Sequence, residues 1–185
     1  MLHWFGFSVH AASEEDIIKA AYLRNALNYA NFPKEAFPSP SSPFQIGIAG
    51  EASSLKKSMN LAFEELGHRI QARAVKILSF QDPTALSNHA SKPGRNSCHA
   101  VLLPESEGAR IHEWLEALGE SSILMISDDP GFIDKGGAVS LVPNPDSKGR
   151  YLYNIHTQRL RSRGIRFNSG FLRIRSTVKV VDKEY

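Results

Sequence analysis

Two adjacent carboxylates, Asp128 and Asp129, follow residues 121–127 (SSILMIS), an apolar run that is typical of a buried strand. Enzymes built on parallel sheets often hold acidic side chains at the carboxyl ends of their strands. A phosphate-binding or catalytic acid also needs a partner lysine or a glycine-rich loop, and neither is evident near this pair in the sequence. We therefore interpret the pair as a cap for a helical turn, and expect alanine substitutions there to leave function intact.

Cys98 and His99 are the two residue types of a thiolate–imidazole couple. Neighbouring residues on a strand point to opposite faces, so these two side chains are not expected to touch. Cys98 is the only cysteine, so it cannot close an intramolecular disulfide, and its favoured role is that of a small buried apolar residue. Four further histidines lack the spacing of zinc ligands, and we predict no metal site: His68, His89, His112 and His156.

Glycine spacing argues against a nucleotide cofactor. A Rossmann site needs GxGxxG after the first strand, where this chain has only Gly47 and Gly50. Walker, nucleophile-elbow and HExxH signatures are also absent, so we predict no catalytic residue, no cofactor and no enzyme activity. Two alternatives stay open: a small-ligand pocket beyond the strand ends, near Gly50, Pro104 and Asp128, and an unrecognised hydrolase or phosphotransferase.

Basic residues concentrate at the C-terminal end of the chain. Residues 1–147 carry 12 lysines and arginines against 17 acidic residues, whereas residues 148–185 carry 10 against 2. Such an end is either a solvated face or a surface for an acidic partner. We predict that Arg159, Arg163 and Arg166 contribute to partner binding by electrostatic steering. Nucleic-acid binding would need a denser basic surface with stacking aromatics, so a nucleic-acid partner is not expected.

The composition is that of a globular protein, with 185 residues of which 42% are hydrophobic and 22% charged. This length predicts one domain, which we place at residues 13–185. No apolar run approaches the roughly 20 residues that span a bilayer, so membrane insertion is not expected. Residues 1–12 (MLHWFGFSVHAA) fit either the remnant of a secretory signal, cleaved after Ala11, or an apolar extension that packs on the domain.

Apolar spacing predicts alternating strands and helices. Ser13 is the expected N-cap of the first helix, which follows it and ends before Pro33. Further helices are predicted at 53–66 and 106–118, and strands at 44–50, 74–80, 98–103, 121–127, 138–142 and 151–156. The spacing within residues 171–181 fits a helix and a strand equally well. This order predicts an α/β fold with a mostly parallel sheet, helices on both faces and an antiparallel addition near the C-terminal end.

Several segments, taken in their order and spacing, resemble the YfiR family of periplasmic regulators (YfiR/HmsC-like). Residues 19–33 (KAAYLRNALNYANFP) resemble the family's opening helix, which ends in an aromatic residue and a proline. Residues 98–107 resemble its cysteine–histidine strand and the serine–glutamate that starts the next helix. The other similar segments are residues 44–50, 123–128, 132–137, 153–155, 164–165 and 171–172, so that the resemblance covers roughly residues 17–181.

The resemblance implies a Rossmann-like, homodimeric protein of the periplasm. Such a protein would bind and repress the periplasmic sensor region of an inner-membrane diguanylate cyclase, and so lower cyclic-di-GMP signalling and biofilm formation without catalysing a reaction. The family pattern also implies a helix over residues 171–181. Some members use disulfides as redox control, whereas here Cys98 matches one family cysteine and has no partner in the chain, which leaves an intersubunit bond. Asn28 and Asn31 stand where the family usually carries aromatics, so partner choice is expected to differ.

Overall fold

A seven-stranded sheet forms the middle layer of the computed structural model, which describes residues 13–90 and 98–182. Four neighbouring strand pairs at one side are parallel, the next pair is antiparallel and the last is parallel. From edge to edge, the strands are β3 (Val75–Phe80), β2 (Phe44–Ala49), β4 (Ala100–Leu103), β5 (Leu124–Ser127), β6 (Val139–Pro143), β7 (Tyr151–Ile155) and β9 (Val178–Val180). The predicted α/β class is confirmed, since the sheet is mostly parallel with an antiparallel addition near the C-terminal end. A separate antiparallel pair joins β1 (Ala30–Asn31) to β8 (Arg166–Phe167).

Local signals in the sequence mark some of the helix ends. Ser13 caps the first helix as predicted, because its hydroxyl accepts the Asp16 N–H. The second helix continues into a π turn, Leu61–Glu65, and the fourth follows a 3-10 turn, Glu105–Arg110, and ends at Gly119. The helices are α1 (Glu14–Tyr29), α2 (Ser53–Asn60), α3 (Pro83–Ala90), α4 (Ile111–Leu118), α5 (Thr157–Ser162) and α6 (Ser169–Leu172).

Two apolar layers cover the sheet on opposite sides. The first face packs against α1, α2, α5 and α6, and the second face packs against α3, α4 and the chain between β5 and β6. Side chains alternate along each strand, so that Leu102 belongs to the first layer and Leu103 to the second. Trp114 of α4 and Phe132 fill the second layer, and both are fully buried. Burial on both faces explains why the central strands are continuous apolar runs in the sequence.

The prediction of a helix over residues 171–181 is wrong. Only Ser169–Leu172 is helical, and the chain then turns and enters β9. There Val178 is buried, whereas Lys179 and Val180 are exposed, as is common at the end of a short edge strand. The free edge of β7 decides between the two conformations, since its backbone groups need hydrogen-bond partners. Tyr153 N donates to Thr177 O at 2.8 Å, and Val181 N donates to Ile155 O at 2.9 Å.

Within residues 13–90 and 98–182, no helix has the length and apolar character needed to cross a membrane. Residues 1–12, for which a signal-peptide remnant is predicted, lie outside the described residues.

Candidate functional site

Asp128 lies at the carboxyl end of β5 and forms an ion pair with Lys19 of α1. Their Oδ2 and Nζ atoms are 2.7 Å apart, and both side chains are mostly buried, with 18% and 16% exposed. Lys19 Nζ also lies 2.9 Å from Glu15 Oε1, one helical turn earlier. The second Asp128 oxygen accepts the backbone N–H of Glu105 at 2.6 Å. The carboxylate therefore joins the first helix, the sheet and the loop after β4.

The charges of this cluster support one another. Burial lowers the pKa of the Lys19 ammonium, but the hydrogen bonds and charges of Asp128 and Glu15 outweigh it and hold that pKa above its usual value. The hydrogen bonds from Lys19 and Tyr151 lower the pKa of Glu15. Burial, together with the hydrogen bond to Glu15, raises the pKa of Tyr151 to about 12. At neutral pH the lysine stays protonated, so it acts as a fixed positive charge and cannot serve as a general base.

Asp129 forms its contacts within the loop that follows β5. It is 7% exposed, its Oδ1 accepts the Gly131 N–H at 2.7 Å, and its Oδ2 lies 3.4 Å from Lys135 Nζ. The expected capping role is consistent with the Gly131 bond, since the carboxylate closes a turn in the chain. The two lysine partners are what the sequence did not reveal. Lys19 is 109 residues from Asp128, and only the packing of α1 on the first face joins them.

The small-ligand alternative placed a pocket beyond the strand ends, and side chains occupy that space. Gly50 has φ +67°, and a Cβ there would lie 2.2 Å from the carboxylate of Glu107. Trp114 Nε1 donates to the same carboxylate at 2.9 Å and keeps it in place. The remaining cleft beside Lys19 and Pro104 has a volume of about 20 Å³, which is room for about one water molecule. A ligand at this edge would have to displace these side chains.

Cys98 and His99 point to opposite faces, as alternation predicts. Cys98 is 2% exposed in the second layer, and burial raises the pKa of its thiol to about 12. His99 is equally buried, and its ring stacks on Phe37 with centroids 4.2 Å apart. A protonated, buried thiol is a poor nucleophile, and an intersubunit bond through it would require the start of β4 to open. No group of three His, Cys, Asp or Glu residues in the described parts of the chain is arranged to hold a metal ion.

The three arginines predicted to bind a partner have different environments. Arg159 Nη1 donates to the carbonyls of Ile133 and Gly137 at 2.6 and 2.8 Å. Arg163 Nη1 donates to those of Gly119 and Ser121 at 2.9 and 3.1 Å, and burial lowers the pKa of this guanidinium. Arg166 is exposed on β8. The first two brace loops, which leaves Arg166 as the member of the set that a large partner can reach directly.

The fold and site together define a mostly parallel α/β domain in which lysine–aspartate ion pairs lie at the end of a central strand. The chain belongs to the YfiR/HmsC-like family, whose sequence model matches residues 16–175. This match confirms the resemblance found in the sequence.

The fold is also similar to that of a solved structure. It is the crystal structure of a conserved domain protein from Vibrio cholerae O1 biovar El Tor strain N16961, with a TM-score of 0.58 and 12% sequence identity over 88% of this chain. The chain spans 60% of the length of that protein, and the likeness shows the fold alone. Comparison with curated proteins gave no match.

Proposed function

We propose that this protein is a periplasmic regulator that binds the periplasmic sensor region of a membrane-bound diguanylate cyclase and represses it. The observation that carries the proposal is the family match over residues 16–175, which includes almost the whole described domain. Repression of the cyclase lowers cyclic-di-GMP signalling and, through it, biofilm formation.

The geometry at the strand ends supports a role without catalysis. The acidic residues at that edge are engaged by Lys19, Lys135 and backbone N–H groups, so their charges stabilise the fold. The cleft between them has room for about one water molecule, which is too small for a substrate. Regulation by surface contact fits this closed arrangement.

The basic C-terminal region contributes to partner binding by electrostatic steering. Arg161 and Arg166 are both exposed, so their charges can attract a partner through the solvent, over a distance that the ionic strength determines. Arg159 and Arg163 act differently, because their guanidinium groups are bonded to loop carbonyls. Their part in partner binding is to keep those loops in position.

We also propose that the regulator is a homodimer. Size-exclusion chromatography with light scattering measures the mass of the full chain, and a dimer mass under both oxidising and reducing conditions is expected. The dimer does not depend on a disulfide, because the thiol of Cys98 is buried beneath Gly47 and Phe80. A mass of one chain at micromolar concentration would contradict this part of the proposal.

The cyclase proposal is tested by co-purifying the full chain with the periplasmic sensor region of each diguanylate cyclase encoded beside it. The sensor region of a cyclase from a distant locus is the control. A stable complex with the neighbour, together with a rise in cellular cyclic-di-GMP when the regulator is deleted, is expected. Failure to bind any neighbouring cyclase, or an unchanged cyclic-di-GMP level after deletion, would refute the proposal.

A further inference from the structure

A cavity of about 360 Å³ lies on the second face of the sheet, beside the antiparallel addition. Its floor includes Asn154 of β7 and Lys179 of β9, and its walls include Ile133, Asp134 and Arg159. The Lys19–Asp128 cluster lies on the first face, where α1 packs, so the two regions are separate. The volume falls within the range of about 300 to 1,000 Å³ that small-molecule sites occupy.

A row of polar side chains leads across the second face into this cavity. The strand register places Ser127, Ser140, Asn154 and Lys179 side by side on β5, β6, β7 and β9. The two serines are fully buried, Asn154 is half-buried and Lys179 is exposed, so the row becomes more accessible toward the cavity. Asn154 Nδ2 donates to Ser140 Oγ at 3.2 Å, which fixes the orientation of the carboxamide. Its amide carries a second N–H donor that this bond does not use.

Arg159 is held in place before any ligand arrives. Its Nη1 donates to the carbonyls of Ile133 and Gly137, in the loop that forms the opposite wall. A guanidinium has three more N–H donors, on Nε and Nη2, in the fork geometry that matches a carboxylate or a phosphate. Because the side chain is already ordered, binding through these donors costs little conformational entropy.

The charge balance of the cavity favours an anion. Arg159 and Lys179 each contribute a positive charge against the single carboxylate of Asp134, which is exposed at the rim. The neighbouring Asp182 carboxylate does not line the cavity; it accepts hydrogen bonds from Thr157, and its Oδ1 lies 3.2 Å from His156 Nδ1. An oxyanion in the cavity would therefore meet two cations and an amide donor.

We propose that this cavity binds a small molecule through a carboxylate or phosphate group, which Arg159, Lys179 and Asn154 hold together. The proposal does not rest on the cyclase interaction, because it is argued from the cavity alone and concerns a small ligand. Arg159 acts here as a ligand-binding residue, whereas the sequence predicted it only as a residue for a protein partner.

The test is isothermal titration of the full chain with two probes, succinate for a dicarboxylate and glycerol 3-phosphate for a phosphate monoester. Each titration is run at one ionic strength adjusted with NaCl, because exposed charges are screened by salt. Binding of at least one probe with one site per chain is expected. The stronger probe identifies which of the two oxyanion groups the cavity prefers.

Variants separate the cavity from general attraction to a basic protein. Lys179→Ala removes one cation and is expected to weaken binding about tenfold, the usual scale for a hydrogen bond to a charged group. Ile133→Trp fills the cavity without a change of charge and is expected to weaken binding at least as much. Lys148→Ala is the matched control, because this exposed lysine lies in the turn at the opposite end of the β6–β7 hairpin. It is expected to leave affinity unchanged within about twofold.

Three results would overturn the proposal. The first is that neither probe binds the unmodified chain above the NaCl background. The second is that Lys179→Ala and Lys148→Ala weaken binding equally, and the third is that Ile133→Trp leaves the affinity unchanged. The first result removes the site, and the other two place the binding outside the cavity.

Discussion

Acid should destabilise this protein through one buried histidine. His99 is 2% exposed, its Nδ1 accepts the Gln45 N–H at 2.9 Å, and its Nε2 lies 2.9 Å from the Ala36 carbonyl. Only the neutral tautomer with the proton on Nε2 satisfies both bonds, because a protonated Nδ1 would face another donor. Burial lowers the pKa of His99 to about 4, and the charge of Arg73 acts in the same direction.

The size of the effect follows from the two protonation equilibria. In the unfolded chain the imidazole titrates near a pKa of about 6.5, and in the folded protein near about 4. Between these values the unfolded state binds more protons, so the free energy of unfolding falls as the pH falls. The full contribution is present above about pH 6.5 and is lost by about pH 4. At about 1.4 kcal/mol for each pH unit, the loss amounts to about 3 kcal/mol.

The perturbation that isolates this contribution is His99→Asn. The asparagine carbonyl can still accept the Gln45 N–H, and the side chain does not titrate. We expect urea unfolding, followed by tryptophan fluorescence between pH 7 and 4, to show a fall about 3 kcal/mol larger for the unmodified protein than for the variant. His112→Asn is the control, because His112 is exposed, and it should behave like the unmodified protein. Equal falls for the unmodified protein and His99→Asn would refute the assigned tautomer and burial.

Three further predictions concern the ion pair, the basic region and the thiol. Lys19→Met should lower the free energy of unfolding by about 3 kcal/mol in urea titrations, since it leaves the mostly buried Asp128 carboxylate without its cation. Lys56→Met, at an exposed position of α2, should change that free energy by less than about 0.5 kcal/mol, and equal effects of the two substitutions would contradict the role of the pair. Arg166→Glu should slow association with the cyclase sensor region several-fold in surface plasmon resonance at low salt, and this difference should vanish at high salt. Lys56→Glu is the control and should leave the association rate unchanged. A loss of association rate that does not depend on salt would exclude steering. Cys98 should react with a thiol reagent only after denaturation, because its thiol is buried and protonated, and rapid labelling of the native protein would show that this part of the sheet opens.

The sequence identified the strands of the central sheet, whereas the order of those strands comes from the structure. Each central strand is a short apolar run, and its composition alone distinguishes it from the polar segments around it. Assignment from apolar spacing fails at residues 171–181, because the apolar residues of this short segment fit both the helical and the strand period. The unpaired edge of β7 decides that Val178–Val180 is a strand, and no local pattern contains that information.

The candidate sites divide in the same way. The alternation rule was enough to separate Cys98 from His99, since it depends only on neighbouring residues. The roles of the arginines were not accessible from spacing, because Arg159 and Arg163 bond to carbonyls that lie 22 to 44 residues away in the chain. A cluster of positive charge in a sequence therefore contains both solvated groups and groups that brace loops.

By itself the sequence determined the helix that Ser13 caps, the apolar strands, the α/β class and the family, because each of these rests on local patterns or on their order along the chain. Only the tertiary structure decided that Lys19 neutralises Asp128, that Glu107 covers Gly50, and that Asn154 and Lys179 share a cavity with Arg159. The physical reason is that ion pairs and cavities form between elements far apart in the chain. Their partners are set by how helices and strands pack, and packing is a property of the whole domain.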